Sequence, residues 1–336
     1  MMKLSIVIPV YNVANWIDDC IRSCMNQDMA LKNEYEIIVV NDGSLDDTMS
    51  HLKAYGNDIV IVDQPNSGVS VARNNGLQHA TGEYVWYIDG DDYIEPNVLG
   101  GLYQYIKRNK LDVLNIAFNS VPDMTVYPAP ISNTSKSETI EFKPVLQGTI
   151  NQMVACNTLS RLEYIKSHNI LFKEGMWYGE DTLWAFWMLL FEPKREVIYN
   201  KVYNYRVRQG SAMHSHSEVT NKRWLDSMLL MHETYIDALV NYSNEISDKQ
   251  KTNLMARINW SSSNLLFGAL RLGKVKRIEI LHYLELKGHY PYPILWNKIT
   301  YKNGLNNLLL SFLTLFFPCK LYYTVVGWIY DKLKKV

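Results

Sequence analysis

Four short apolar runs, each closed by a polar turn, restrict the N-terminal part of this chain more than any other feature. They are Leu4–Val10 (LSIVIPV), Tyr35–Val40 (YEIIVV), Ile59–Val62 and Tyr84–Ile88. The first, second and fourth, rich in β-branched and aromatic residues without polar alternation, suit buried strands of a parallel sheet, and the third a short strand. Between the first two, Ile17, Cys20, Ile21 and Cys24 recur at helical spacing behind Asn15, a residue type that caps helices. Val69–His79 reads as a further helix before the fourth run. Such alternation predicts an α/β fold with right-handed crossovers. In these sheets ligands bind outside the carboxyl ends of the strands. Those ends carry Asn12, Asp42-Gly43-Ser44, Asn66-Ser67-Gly68 and Asp89-Gly90-Asp91. Turn chemistry accounts for some of this polarity, but not for every end bearing acids or amides and none a base.

The fourth run, read on as GEYVWYIDGDDYI over Gly82–Ile94, delivers Asp89, Gly90, Asp91 and Asp92 directly after buried sequence. Three clustered carboxylates repel one another unless a cation or hydrogen-bond donors offset them. Mg²⁺ and Mn²⁺ prefer such oxygen ligands, and Mg²⁺ is often held by one or two carboxylates plus substrate phosphates. Gly90 allows a tight turn and close approach of a ligand. The alternative is an acidic turn leading into the next helix near Pro96. After the first strand stands Tyr11-Asn12-Val13-Ala14-Asn15, with no glycine, so the dinucleotide fingerprint is missing, as is a Walker lysine loop. A metal carrying the phosphates would fill that gap.

Farther on, Pro96–Lys110 is expected as a surface helix, Leu111–Phe118 as a strand, Pro122–Lys143 as a loop or edge hairpin and Leu159–His168 as a helix. Phe172–Asp181 (FKEGMWYGED) precedes a strongly apolar helix over Thr182–Phe191. Acids at a helix N-terminus are favoured by the macrodipole, by about 0.3–1 kcal/mol. Glu180 and Asp181 therefore have a purely helical explanation beside a functional one, a carboxylate held on a rigid helix start near an aromatic floor. Val197–Arg208 reads as a strand. Its Arg206 and Arg208 suit either a phosphate clamp or a solvated loop. From Asn221 the chain is helical and shows no catalytic signature. The tail holds an apolar segment, Leu305–Phe317, too short and interrupted to span a bilayer. Tyr322, Tyr323, Trp328 and the lysines 332, 334 and 335 then suggest a helix lying on an anionic membrane face.

Balanced charge, 34 Lys and Arg against 34 Asp and Glu, shows no nucleic-acid footprint. Four cysteines lack disulfide or metal spacing. With no signal peptide at the start of the sequence, a cytoplasmic location is expected, peripheral on the inner face of the cell membrane.

Taken in order, SIVIPVYN at Ser5–Asn12, VVNDGSLDDT at Val39–Thr48, NSGVSVARNNGL at Asn66–Leu77, YIDGDDYI at Tyr87–Ile94 and GED at Gly179–Asp181 resemble glycosyltransferase family 2. The resemblance implies a GT-A fold: a mixed, mainly parallel sheet flanked by helices over residues 1–215, with a helical C-terminal region over 216–300 and the apolar, basic tail over 301–336. It implies an inverting transferase that uses a nucleoside-diphosphate sugar, commonly UDP-linked, and divalent Mn²⁺ or Mg²⁺. By that resemblance Pro9, Tyr11 and Asn12 line the nucleoside and Asp42 reads the base. Ser44, Gly68 and Arg73 lie near nucleotide and sugar, with Gly90 in the acidic turn. Asp89 contacts ribose or metal, Asp91 binds the metal with His214 as a further ligand, and Asp181 is the general base with Glu180 beside it. The implied partners are the sugar donor and a saccharide or lipid-linked saccharide acceptor, in surface polysaccharide or glycolipid synthesis. Two other readings remain: an idle nucleotide-sugar-binding protein of the same fold, and a nucleotidyltransferase, which usually needs a basic, glycine-rich phosphate loop near its start.

Overall fold

The computed structural model describes residues 2–123, 153–207, 218–290 and 320–333. The chain divides into two compact units, one of Met1–Gly175 with Glu180–His214 and one of Met176–Gly179 with Ser215–Val336.

In the first unit the elements run β1 (Leu4–Val10), α1 (Ile17–Met25), β2 (Tyr35–Asp42), α2 (Thr48–Ala54), β3 (Val60–Gln64), α3 (Val69–His79), β4 (Tyr84–Tyr87), β5 (Tyr93–Ile94) and α4 (Leu99–Arg108). Then come β6 (Val113–Pro122), β7 (Thr158–Arg161), α5 (Leu162–Ser167), α6 (Glu180–Leu190) and β8 (Arg195–Val207). They build one sheet in the order β3-β2-β1-β4-β7-β6-β8-β5. Strands β3, β2, β1 and β4 are parallel neighbours. β7 runs antiparallel between β4 and β6, β5 is antiparallel to β8, and β6 and β8 are parallel, so the sheet is mixed.

Alternation along each strand sends side chains to opposite faces. Ile6 and Ile8 of β1 join Ile37 and Val39 of β2 and the α1 stripe Ile17, Cys20, Ile21 and Cys24. Val7 joins Ile38, Val40 and Val85 with Ala72 and Leu77 of α3 on the other face. Each such side chain contributes roughly 1.5–3 kcal/mol on full burial. Helix α3 lies close because Gly76 has no side chain; a Cβ there would fall 2.3 Å from Val7 Cγ1. Pro9 is tolerated in β1 because β4 pairs with β1 only as far as Val7, so no ladder bond is lost on that side.

Several expectations need correction. Asn15 does not cap α1: the helix follows Trp16 without a side-chain cap, and the Val13 carbonyl accepts from the Trp16 and Ile17 N–H groups. The short helix α2, which no expectation covered, buries Thr48 and Leu52. The third run forms the short strand expected, at the edge of the sheet, with exposed or half-buried residues. Leu159–His168 is split, because Thr158–Arg161 fills the slot between β4 and β6 as a strand before α5 begins. Cys20, Cys24 and Cys156 are buried free thiols. The Pro122–Lys143 segment from 124 onward, Leu305–Phe317 and Cys319 lie outside the described residues.

In the second unit α7 (Glu218–Asn241), α8 (Asp248–Arg271), α9 (Lys274–Leu286) and α10 (Lys320–Leu333) follow. Helix α8 starts at a reciprocal cap: Ser247 Oγ accepts from the Gln250 N–H, and Gln250 Oε1 accepts from the Ser247 N–H. Among the described residues no helix is long and apolar enough to cross a membrane.

Candidate active site

The loops at the carboxyl ends of β1 and β2 are fastened to each other. The Asn12 N–H donates to Ser44 Oγ (3.0 Å), and Asn12 Oδ1 accepts from the Leu45 N–H (2.7 Å). The Val13 N–H donates to Thr48 Oγ1 and the Ala14 N–H to Asp46 Oδ2. Asn12 itself takes a left-handed backbone, φ 52°, which asparagine tolerates better than most residues. This leaves the Tyr11 ring exposed at the end of β1.

Asp42, buried at the end of β2, organises the next loop. Its Oδ1 accepts from Gln64 Nε2 and the Ser67 N–H, and its Oδ2 from the Gly68 N–H, all at 2.8 Å. Gln64 is held in turn by Asn75 Nδ2 (2.8 Å). Asp42 thus sets the entry into α3, which begins just after Gly68.

Arg73 sits about 7.5 Å further along that helix axis, at 1.5 Å per residue. It is buried, and its guanidinium joins three carboxylates. Nη2 donates to Asp89 Oδ1 (2.9 Å), and Nη1 to Glu180 Oε1 (3.3 Å) and Asp181 Oδ1 (3.2 Å). The guanidinium carbon also lies 5.0 Å from the Phe172 ring centre. Phe172 stacks on Trp184 at 5.1 Å with 2° between planes, and Tyr87 meets both edge-on. Asn74 fixes this wall to α3 by exchanging two 2.9 Å bonds with the Phe172 backbone. One connected network therefore runs from Asp42 through α3 to Asp181.

The three acids after β4 have different surroundings. Asp92 is fully buried and accepts from Tyr203 Oη and the Arg206 N–H. Asp89 and Asp91 are half-buried. The turn is drawn onto β1 at Gly90, where a Cβ would fall 2.6 Å from Val10 Cγ1. Arg206 locks it from behind, donating to the Asp91 carbonyl (2.9 Å) and to Asp19 Oδ2 (2.7 Å) while lying over Tyr93. Arg206 is thus a buried brace, not a phosphate clamp, and Asp92 belongs to that brace. Arg208 and His214 lie outside the described residues.

Burial pushes the Asp181 carboxyl up, against the pull of Arg73. Burial and then the neighbouring Asp181 raise Glu180 to about 7. In the fold Glu180 therefore holds its proton more tightly than in the unfolded chain, whose ordinary value is 4.5. Its contribution to stability is complete at acid pH and lost as pH rises through about 7. Glu180→Gln, fixed in the neutral form, should gain thermal stability relative to wild type as pH climbs from 5 to 8. Parallel melting curves for the two proteins across that range would disprove it.

Among the described residues no group of three or more His, Cys, Asp or Glu side chains is arranged to hold a metal. The oxygen ligands of the acidic turn are the carboxylates of Asp89 and Asp91, flanking Gly90. Two hard carboxylates fit a divalent cation that completes its shell with water and diphosphate oxygens.

Residues 5–168 match the profile described as "Glycosyl transferase family 2". That segment is a family 2 glycosyltransferase domain. Among curated relatives, the chain is 25% identical over 263 residues to the minor teichoic acid biosynthesis protein GgaB of Bacillus subtilis, covering 76% of this chain and 29% of GgaB. It is 27% identical over 242 residues to the poly(ribitol-phosphate) beta-N-acetylglucosaminyltransferase TarS of Staphylococcus aureus, covering 71% of this chain and 41% of TarS. The chain thus spans less than half the length of these two relatives. The crystal structure of S. aureus TarS 1–349 in complex with UDP-GlcNAc superposes with a TM-score of 0.58 at 21% identity, covering 90% of this chain and 98% of that one. The GT-A architecture expected from the motifs is the fold of the glycosyltransferase domain.

The family resemblance puts Arg73 near the nucleotide and sugar; in the fold its guanidinium bonds to Asp89, Glu180 and Asp181. The signal was available: Arg73 precedes Gly76 and Leu77 on the sheet-facing side of α3, and a buried arginine there must meet acids. Tyr203 and Asp19 left no comparable trace. In the second unit Ser227 Oγ accepts from the Trp177 and Tyr178 N–H groups, and Arg223 lies 3.8 Å from the Trp177 ring centre. The aromatic stretch before Glu180 thereby groups with α7.

Proposed function

We propose that the glycosyltransferase domain, residues 1–215, moves a sugar from a UDP-linked donor to an acceptor hydroxyl with inversion. The acceptor is a saccharide or lipid-linked saccharide in surface polysaccharide or glycolipid synthesis, and the enzyme works from the cytoplasmic side, peripheral to the membrane. The observation that carries this reading is Arg73, bonded at once to Asp89 of the acidic turn and to Asp181 at the start of α6. The complex of TarS 1–349 with UDP-GlcNAc and the teichoic acid names of the relatives support the substrate classes.

In this reading Tyr11 and Asp42 receive the nucleoside, the exposed Tyr11 ring by stacking, with Pro9, Asn12, Ser44 and Gly68 forming the adjoining walls. Asp91 and Asp89, flanking Gly90, would hold a divalent cation; when bound it neutralises charge developing on the departing diphosphate. Asp181 takes the proton of the attacking hydroxyl. Its raised proton affinity makes it a stronger base than an exposed aspartate. The opposite-face attack avoids a covalent intermediate, and the transition state is oxocarbenium-like. Arg73 keeps Asp181 oriented, and the Phe172–Trp184 wall keeps water off the guanidinium.

Thermal melting with UDP-sugars, with Mn²⁺ or with chelator, tests the donor class. A donor at about 100 times its Kd should stabilise the fold by about 2.7 kcal/mol. Asp42→Ala should abolish that shift. No shift with any UDP-sugar, or an unchanged shift in Asp42→Ala, would refute the assignment. Pyrophosphate release from a sugar phosphate and a nucleoside triphosphate would favour a nucleotidyltransferase instead.

A further inference from the structure

Helices α9 and α10 of the second unit lie side by side and antiparallel. Lys320 Nζ pairs with Glu285 (2.6 Å) at one end, and Gly327 abuts Arg277 at the other. Each helix buries one face. Helix α9 buries Arg277, Ile280 and Leu284. Helix α10 buries Tyr323, whose hydroxyl donates to the Leu266 carbonyl of α8 (2.7 Å). The opposite faces carry large exposed apolar side chains, with Glu279 and His282 beside them on α9 and Thr324 on α10. On α9, Val275, Ile278 and Leu286 fall on one stripe at 100° per residue and are 73%, 58% and 73% exposed. On α10, Val325 and Trp328 are 47% and 58% exposed. Both stripes lie on the sides of their helices away from the buried residues Arg277 and Tyr323.

The charge around them is one-sided. Residues 274–287 and 320–333 hold six Lys and Arg, of which Arg277 is buried, against three Asp and Glu, in a chain whose total charge is zero. Two of those acids, Glu279 and Glu285, are already paired with Lys276 and Lys320. Exposed aliphatic side chains, a tryptophan and a lysine surplus match an anionic bilayer surface, in which the ring and aliphatic groups enter the interface and the lysines meet lipid phosphates. A protein partner would have to supply a long acidic rim around an apolar groove, and nothing here selects one.

We propose that the outer face of α9 and α10, centred on Ile278 and Trp328, docks the protein on anionic phospholipid. This extends the peripheral placement proposed above, and it is read without donor or acceptor, so failure of docking and failure of transfer are separate results. The test is sedimentation of the full chain with phosphatidylcholine vesicles containing or lacking 30% phosphatidylglycerol. Wild type should partition onto the anionic vesicles and be released by 1 M salt. Ile278→Asp with Trp328→Ala should lower the partition coefficient by about tenfold or more. Lys274→Glu with Lys287→Glu, surface changes that keep the apolar stripe, should weaken binding to anionic vesicles by a comparable factor while leaving the circular dichroism spectrum unchanged. No binding to anionic vesicles at low salt would overturn the proposal. So would binding that both double variants leave intact. A dimer that Ile278→Asp converts to monomer, without lipid binding, would overturn it in favour of a face between copies of this chain.

Discussion

Asp181→Asn is expected to reduce sugar transfer by about 10²–10⁴-fold, the usual contribution of a positioned base, while donor affinity changes little. Asparagine keeps the size of the side chain, and its carbonyl oxygen can still accept from Arg73 and from the Ala155 N–H that Asp181 Oδ1 meets in the structure. It cannot take a proton. Single-turnover kinetics and donor calorimetry on the same variant separate the two effects. Transfer within a few-fold of wild type would remove Asp181 from the chemistry. Loss of donor binding together with transfer would move it to the donor site.

Arg73→Ala should have the largest effect on the fold itself. Removing one partner from a buried ion cluster typically costs about 3–5 kcal/mol, because the charges left behind are uncompensated. Here Asp89, Glu180 and Asp181 all lose their common donor. For a unit of this size the loss corresponds to a melting point lower by roughly 6–20 °C. Arg73→Lys should recover only part of it, since one ammonium cannot span three carboxylates as a planar guanidinium does. Because protonation relieves the same repulsion, the deficit should shrink in acid. A melting point for Arg73→Ala within 2 °C of wild type at neutral pH would show that the cluster is solvated and not coupled.

How much of this could be read without the fold depends on the range of each cue. The apolar runs and the polar residues that end them are local patterns, so β1, β2, β4 and α3 stand where sequence reasoning put them. Thr158–Arg161 is too short to show a period, so Leu159–Arg161 reads as the start of a helix; only pairing with β4 and β6 makes it a strand. Helix α6 begins at Glu180, two residues before the apolar run that signals it, since acids read as turn residues until a macrodipole gives them a reason to be helical. The three aspartates after β4 look alike in sequence. Tyr203 and Arg206, more than a hundred positions away, set Asp92 apart as a buried brace.

Sequence by itself determined the strand–helix alternation, the family motifs and the gathering of acids and amides at the strand ends, because each rests on neighbours within a few residues. Tertiary structure alone decided which arginine meets which acid: Arg73 with Asp181 across 108 positions, and Arg206 with Asp19 across 187. The physical reason is that a buried charge settles where packing brings its counter-charge within hydrogen-bond reach, and that meeting depends on how α3, α6 and β8 lie on the sheet.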